Sequence, residues 1–425
     1  MNKSVLQYFY YILGEGISKG IIFLTLGFYT GYFSKPEFGK LSLFWISVPL
    51  FAIFIDFAQR SYVKKRCLHS PRKGIEAISR IVVFSSLITL TYLLSVSVLE
   101  RFQIHIIDGD FDRYIVLCSF FYALIELVLS YYQINGKVKG YNFYYALRNA
   151  LPYVLTIAFI MVGRNQTYGA NIFAKIQLAV FIVIALLALR STISRQAFNL
   201  KVLLKQFFGR IWISIRFSTP IMPGILSALL LSFADRFIIN YYYTEVEVAE
   251  YTVAYTISSV FMAFFLATNK MWQKFILENL KARNISKIAS SSRKYIAVVM
   301  IAGVAVVLLR QPLIDIMANS SYYLILDIIP TIIAGMFFYF LYTVLSNVPF
   351  YNGNTFLMAL PAMIAAVLNI LLNFVLIPSY GFKVAALTTM VSYMVEFLVI
   401  YLICLRKYKT DILFYGLTRR FISPG

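Results

Sequence analysis

The sequence predicts an all-α integral membrane protein of about twelve transmembrane helices, in two lobes of about six helices each related by a pseudo-two-fold axis along the membrane normal. Three observations carry that expectation. Of the 425 residues, 60% are hydrophobic and 13% charged, with a mean hydropathy of +0.76, whereas a globular chain carries about 25% charged residues. The apolar residues are gathered into runs long enough to cross a bilayer. Finally, the basic residues fall unevenly between alternate loops, and no hydrophilic block is large enough for a separate soluble domain.

The expected spans lie near residues 7–32, 41–63, 81–99, 113–134, 144–162 and 170–189, then 214–241, 250–269, 295–310, 327–350, 357–377 and 383–405. The first is too long for a signal peptide, is interrupted by Glu15 and Lys19, and lacks a small-residue cleavage site, so it reads as a mature helix. An amphipathic stretch over 194–213 sets Phe198, Val202 and Phe207 against Lys201, Lys205 and Arg210. It divides the chain into an amino-terminal lobe (1–193), a linker (194–213) and a carboxy-terminal lobe with a basic tail (214–425). The second lobe opens with an apolar run from Phe217 kinked by Pro220 and Pro223, which membrane bundles tolerate because neighbouring helices satisfy the freed carbonyls. Asp235-Arg236 lies about 19 residues on, roughly 28 Å along a helix, toward the far membrane face. A similar amphipathic stretch, Met271 to Arg293, is expected between the eighth and ninth spans. Glu37 to Trp45 can be laid on Glu247 to Tyr255, each at the turn between the first two spans of a lobe.

With these spans, roughly 27 Lys and Arg residues fall on the side of the amino terminus and about 7 on the other. Both termini are therefore expected in the cytoplasm. The formal charge of +21 reflects topology and attraction to anionic lipid, not a nucleic-acid partner.

Motifs for catalysis are lacking. There is no phosphate-binding Gly-rich loop ending in Lys-Ser/Thr, and Gly14, Gly16 and Gly20 miss the dinucleotide spacing. His69 and His105 fall on opposite sides of the membrane, and Cys67, Cys118 and Cys404 are far apart. Asp108, Asp110 and Asp112 lack the bidentate Glu of a calcium loop and read as a solvated acidic hairpin. No catalytic residue, metal or cofactor is expected.

What stands out is charge inside the apolar runs, where each ion costs about 2.5–3.5 kcal/mol and marks a functional candidate. The set is Glu15 and Lys19, Asp56 and Arg60, Glu126, Lys175, Arg216, Asp235 and Arg236, and Glu396. Glu15/Lys19 and Asp56/Arg60 have the acid four residues before the base, the spacing of a pair on one helix face. Lys19, Arg60 and Arg236 are read as lining a water-accessible cavity. For Glu126 and Glu396, which have no local partner, structural and functional readings both stay open. Arg216 serves as a substrate-binding or headgroup-anchoring base, and Lys175 snorkels. Bases and acids in the set balance, so their sign does not choose the cargo. Bases in such a cavity can pair with a pyrophosphate through charge-assisted hydrogen bonds.

Three stretches carry a resemblance: YTGYFSKPEFGK over 29–40; the run from Phe217 with Asp235-Arg236 and Ala249-Glu-Tyr-Thr-Val-Ala-Tyr255; and the run from Asn369 to Gly381 followed by Ala385-Ala386 and Ser392-Tyr393. Together they resemble the polysaccharide transporters of the MOP superfamily, specifically the O-antigen or lipid-linked oligosaccharide flippases. One departure is Lys383-Val384, where those relatives have a glycine before the alanine pair. The resemblance implies a bacterial inner-membrane protein that moves an undecaprenyl-pyrophosphate-linked oligosaccharide to the periplasmic leaflet by alternating access, alongside polysaccharide polymerase partners. It implies Lys19, Arg60 and Arg236 as cavity bases. Glu15, Asp56 or Asp235 would couple a proton or sodium ion. A cation-coupled multidrug exporter of the same superfamily is the alternative. A membrane polysaccharide polymerase or ligase is more remote, because the outer loops are short.

Overall fold

The computed structural model describes residues 20–105, 107, 111–163, 168–192 and 210–413. Glu15, Lys19, Asp108, Asp110, both termini and the expected linker over 194–209 lie outside the described residues. Contacts divide the chain into two compact units, Met1–Leu226 and Ser227–Gly425.

Unit 1 runs α1 (Gly20–Tyr32), α2 (Lys35–Asp56), α3 (Arg60–His69), α4 (Pro71–Arg101), α5 (Phe111–Ile134), α6 (Val138–Val162), α7 (Asn171–Thr192) and a short helix α8 over 210–218. Its hub is α5, which packs on α2, α3, α4, α6 and α7. The reason is compositional: α5 is apolar all round, with Ile115, Ala123, Ile125, Leu127 and Val128 completely buried. α4 is the opposite case. Leu87, Leu90, Leu94 and Val98, spaced a turn apart, stay 51–60% exposed, a stripe that would drive aggregation in water and is at home in hydrocarbon. α4 begins at Ser70, whose side chain accepts from Lys73 N at 3.2 Å, with Pro71 in the first turn where its missing N–H costs nothing.

The expected second span, 41–63, is not one helix. α2 stops at Asp56, Phe57 and Ala58 take left-handed φ of 52° and 55°, and α3 restarts at Arg60. The expected span 214–241 is also two pieces, α8 and α9 (Met222–Tyr242), separated by a turn over 219–221. Proline explains this break. Pro220 can neither donate to nor sterically tolerate the carbonyl a turn earlier, while Pro223 sits in the first turn of α9, where no donor is needed.

α9 crosses the division between the units. Unit 2 continues with α10 (Glu245–Lys281), α11 (Ile285–Leu308), α12 (Arg310–Met317), a 3-10 turn (Ser320–Ile325), α13 (Ile329–Leu345), α14 (Asn347–Tyr351), α15 (Thr355–Tyr380) and α16 (Val384–Arg406). α10 opens on a capping box: Thr244 N donates to Glu247 Oε2 at 3.0 Å and Val246 N to Thr244 Oγ1 at 3.2 Å. α2 opens on the same spacing, Ser34 then Glu37, but there Glu37 accepts from Ala170 N at 2.5 Å instead. The two stretches aligned in the sequence thus both start a helix with an acid at its third position. The linker expected over Met271 to Arg293 is instead the end of one helix and the start of the next: α10 is 37 residues long and extends past its apolar span, Glu245–Asn269, to Lys281, and α11 begins at Ile285.

α13 packs on α10 and α16, and α16 on α15. Gly335 makes the α13–α16 approach: a Cβ there would lie 3.0 Å from Met390 Cα. Small residues let membrane helices approach closely, since packing replaces the hydrophobic drive. Gly335→Val is therefore expected to lower the thermal midpoint of the purified protein, by a stability loss of about 1–3 kcal/mol as in overpacked cores; an unchanged midpoint would mean the helices can separate freely.

Among the described residues, eleven helices are long and apolar enough to cross a membrane, and α1 is a shorter apolar helix. The chain is a multi-pass, all-α membrane protein.

Candidate functional site

In unit 1 the end of α2 and the start of α3 bring Asp56 and Arg60 against α5 and α6. The helix break does the positioning. Asp56 Oδ1 accepts from Ala58 N at 2.8 Å, so the carboxylate caps the two left-handed residues, and Ser214 Oγ donates to buried Gln59 Oε1 at 2.6 Å. Arg60 Nε then lies 3.5 Å from Asp56 Oδ2, an ion-pair distance without a hydrogen bond. The expected i,i+4 pair forms, although across an interruption instead of along one helix.

Glu126 on α5, which has no partner near it in the sequence, has two in space. Its Oε2 accepts from Arg60 Nη1 at 3.4 Å and its Oε1 from Arg148 Nη1 on α6. Arg148 also lies over the rings of Tyr122 and Tyr145, at 4.5 and 5.2 Å from their centroids, which favours a cation in a dry setting. Its side chain is 5% exposed, against 20% for Arg60 and 18% for Glu126. Arg148 is not among the candidate residues named from the sequence, yet it is a buried member of the site. The signal that marks it is its place inside the expected span 144–162, with Tyr145 three residues earlier on the same face. Lys64 on α3 adds a further base, half-buried, whose ammonium is pushed below its ordinary pKa by burial, with Glu126 opposing that shift. The cluster therefore holds Arg60, Arg148 and Lys64 against Asp56 and Glu126. Arg148 is saturated by Glu126 and two aromatic faces. Arg60 is held by longer contacts and is partly exposed, so it is the base with donors to offer.

Unit 2 has a drier polar core. Arg236 is 3% and Asp235 1% exposed. The Arg236 guanidinium donates to Thr252 Oγ1 at 3.1 Å and to the Ser232 carbonyl at 2.8 Å, lies 3.5 Å from Asp235, and faces the Tyr255 ring at 4.5 Å. It is thus enclosed by its own unit, in contrast to the water-facing position expected of it. Asp235 Oδ2 and the Tyr251 hydroxyl are buried neighbours without a hydrogen bond of normal geometry. Beyond them, Asn369 Nδ2 donates to Thr389 Oγ1 at 3.3 Å, Asn373 Nδ2 to Asn369 Oδ1 at 3.1 Å, and Thr388 Oγ1 to Asn373 Oδ1. The sequence does not announce this network, because Asn and Thr carry no charge; its one signal is the Asn369-x-x-x-Asn373 spacing, one helical turn. Glu396 is 1% exposed with Oε2 unbonded, near α13 tyrosines Tyr339 and Tyr342. Arg216 on α8 and Lys175 on α7 are exposed.

No family model matches the sequence. An uncharacterized membrane protein of Haemophilus influenzae is 23% identical over 277 residues, and the aligned part spans 65% of this chain and 65% of that protein. The probable low-salt glycan biosynthesis flippase Agl15 of Haloferax volcanii is 23% identical over 390 residues, 89% of this chain and 78% of its own. Among solved structures, the lipid II flippase MurJ in an inward closed conformation superposes with a TM-score of 0.67 at 14% identity, covering 96% of this chain and 88% of MurJ. An inward-facing multidrug resistance MATE family transporter of the MOP superfamily gives 0.66 at 15% identity, covering 93% of both chains. The chain shares the fold of these two transporters along more than nine-tenths of its length.

Proposed function

We propose that the chain is a flippase that carries a polyprenyl-pyrophosphate-linked oligosaccharide across the membrane, as expected for surface polysaccharide biosynthesis of the O-antigen type. The observation that carries the reading is the Arg60 guanidinium, anchored by Asp56 and Glu126 yet 20% exposed. A pyrophosphate is a multivalent anion that cannot cross about 30 Å of hydrocarbon unpaired. A guanidinium fork offers it parallel charge-assisted hydrogen bonds. Lys64 beside Arg60 adds a second base at the side that carries the basic loops, where a cargo made in the cytoplasm would load. The polyprenyl tail stays in lipid while the headgroup crosses, and alternating access then presents it to the other leaflet. Asp235 is the favoured group for coupling to a proton or a sodium ion, because a buried carboxylate oxygen without a hydrogen bond of normal geometry, next to the Tyr251 hydroxyl, suits a small cation. The name of the Haloferax relative supports a glycan cargo.

The test is a proteoliposome assay with a fluorescently tagged polyprenyl-pyrophosphate oligosaccharide. Losing one or two charged hydrogen bonds to the phosphates is expected to slow Arg60→Ala by about tenfold or more, with Arg60→Lys intermediate. Wild-type flipping by Arg60→Ala would remove this site from the path. The equal likeness to a MATE transporter favours a second reading, a cation-coupled multidrug exporter. Cation-driven dye efflux without movement of the tagged oligosaccharide selects it.

A further inference from the structure

At the basic end of unit 2, three segments surround a cavity of about 400 Å³: the α10–α11 turn, α14 with the turn after it, and the strap that follows α16. That volume falls within the range of about 300–1,000 Å³ typical of small-ligand sites. Lys281 and Arg283 line one wall, Asn352 another, and Tyr408 and Thr410 the third, over an apolar floor that includes Val348. No lining residue is a carboxylate. Glu278, one turn before Ala282 on α10, is engaged by Lys274 at 3.8 Å, and neither Lys281 nor Arg283 has an ion-pair partner among the described residues.

Hydrogen bonds fix the backbone turns that carry these residues. Arg283 adopts a left-handed φ of 55°, a conformation that a long side chain takes only under constraint. Its N–H donates to the Leu280 carbonyl at 3.0 Å and Asn284 N to the Asn279 carbonyl at 2.9 Å, which locks the turn. Thr410 N donates to the Cys404 carbonyl at 3.0 Å, folding the strap back onto the end of α16. The Tyr408 hydroxyl is buried without a hydrogen bond of normal geometry, although Asn354 lies within reach. Lys287, Arg406, Lys407 and Lys409 are exposed around the same end, where the bias of basic loops predicts an anionic leaflet.

From these features we propose that the cavity bounded by Lys281, Arg283 and Tyr408 is a binding site for a phosphate group, presented either by an anionic phospholipid headgroup or by a soluble phosphate. Two exposed cations without an ion-pair partner among the described residues and a buried hydroxyl line this one cavity with no acid among its lining residues, which is the donor set a phosphate monoester or diester takes. By bridging the α10–α11 turn to the strap after α16, the ligand would tie two helix ends together. The site is separate from Arg60 and stands whether or not the chain is a flippase.

The experiment uses the full chain in nanodiscs of phosphatidylcholine. One arm adds phosphatidylglycerol and the other inorganic phosphate, with bound lipid read by native mass spectrometry and the thermal midpoint followed in both. The variants are K281Q/R283N and, separately, Tyr408→Phe; Asn tolerates the left-handed position, so the double variant keeps the turn. Saturable stabilisation of the wild type, weakened by about tenfold or more in K281Q/R283N, supports the site. Stabilisation by phosphatidylglycerol alone identifies a lipid headgroup, and stabilisation by inorganic phosphate as well identifies a soluble phosphate. The proposal is overturned if neither arm stabilises the wild type, or if K281Q/R283N responds like the wild type while retaining its helical circular dichroism.

Discussion

Glu126→Ala is expected to destabilise the protein by about 3–5 kcal/mol, the cost of stripping one partner from a buried ion pair. Arg148 bears most of it. Its guanidinium is 5% exposed, takes its carboxylate from Glu126, donates to the neutral Asn149 Oδ1 at 3.4 Å, and meets the faces of Tyr122 and Tyr145. Those faces favour a cation but cannot neutralise one. Arg60 loses less, because Asp56 remains 3.5 Å away and the Arg60 side chain is only partly buried. The partial exposure of Glu126 itself, 18%, puts the expected loss at the lower end of that range. Glu126→Gln should fall between, keeping an acceptor while losing the charge. The deciding comparison is Glu126→Ala combined with Arg148→Met, which removes both ions and fills the volume with an apolar chain. Thermal unfolding of the purified variants should show the double variant recovering most of the loss. If Glu126→Ala alone melts with the wild type, Arg148 has another anion or reaches water, and the account of the cluster fails.

Arg148 also marks where reading the chain alone stopped. Span count, the break at proline and the matched helix starts at Glu37 and Glu247 follow from local rules: apolar run length, the missing proline donor, and an acid at the third helical position. Those rules act within a few residues, and the chain states them directly. The Arg148–Glu126 pair joins α6 to α5, and no periodicity announces which of many interior charges will meet. The end of α2 at Asp56 was equally silent, because nothing in Phe57-Ala58-Gln59 forbids a helix; the left-handed turn persists because Asp56 caps it and Gln59 is held by Ser214. Likewise Asp235-Arg236 was visible as a charged pair, but its enclosure depends on Thr252, Tyr251 and Tyr255 of α10. Charge in an apolar run announces that a partner is required, and tertiary packing decides which one and whether water attends.

Asp235→Asn is expected to cost a similar amount, about 3–5 kcal/mol, by a different route. The substitution is nearly isosteric, so packing against α10 should survive. Arg236 would keep Thr252 and the Ser232 carbonyl at 3.1 and 2.8 Å, yet a guanidinium 3% exposed would be left with no anion among these contacts. Adding Arg236→Met removes the orphaned cation, and the pair of substitutions should restore the thermal midpoint to near the wild-type value. That restored variant separates structure from mechanism. A pair present only to neutralise itself would leave transport intact once both charges are gone. A carboxylate that binds the coupling cation would not, because the neutral hydroxyl of Tyr251 beside position 235 carries no charge to hold the ion against hydration. The expected result is a stable double variant whose translocation no longer responds to a proton or sodium gradient. Gradient-driven flipping at the wild-type rate would reduce Asp235 to a structural counter-ion and move the search for coupling to Glu396, whose buried Oε2 is also unbonded.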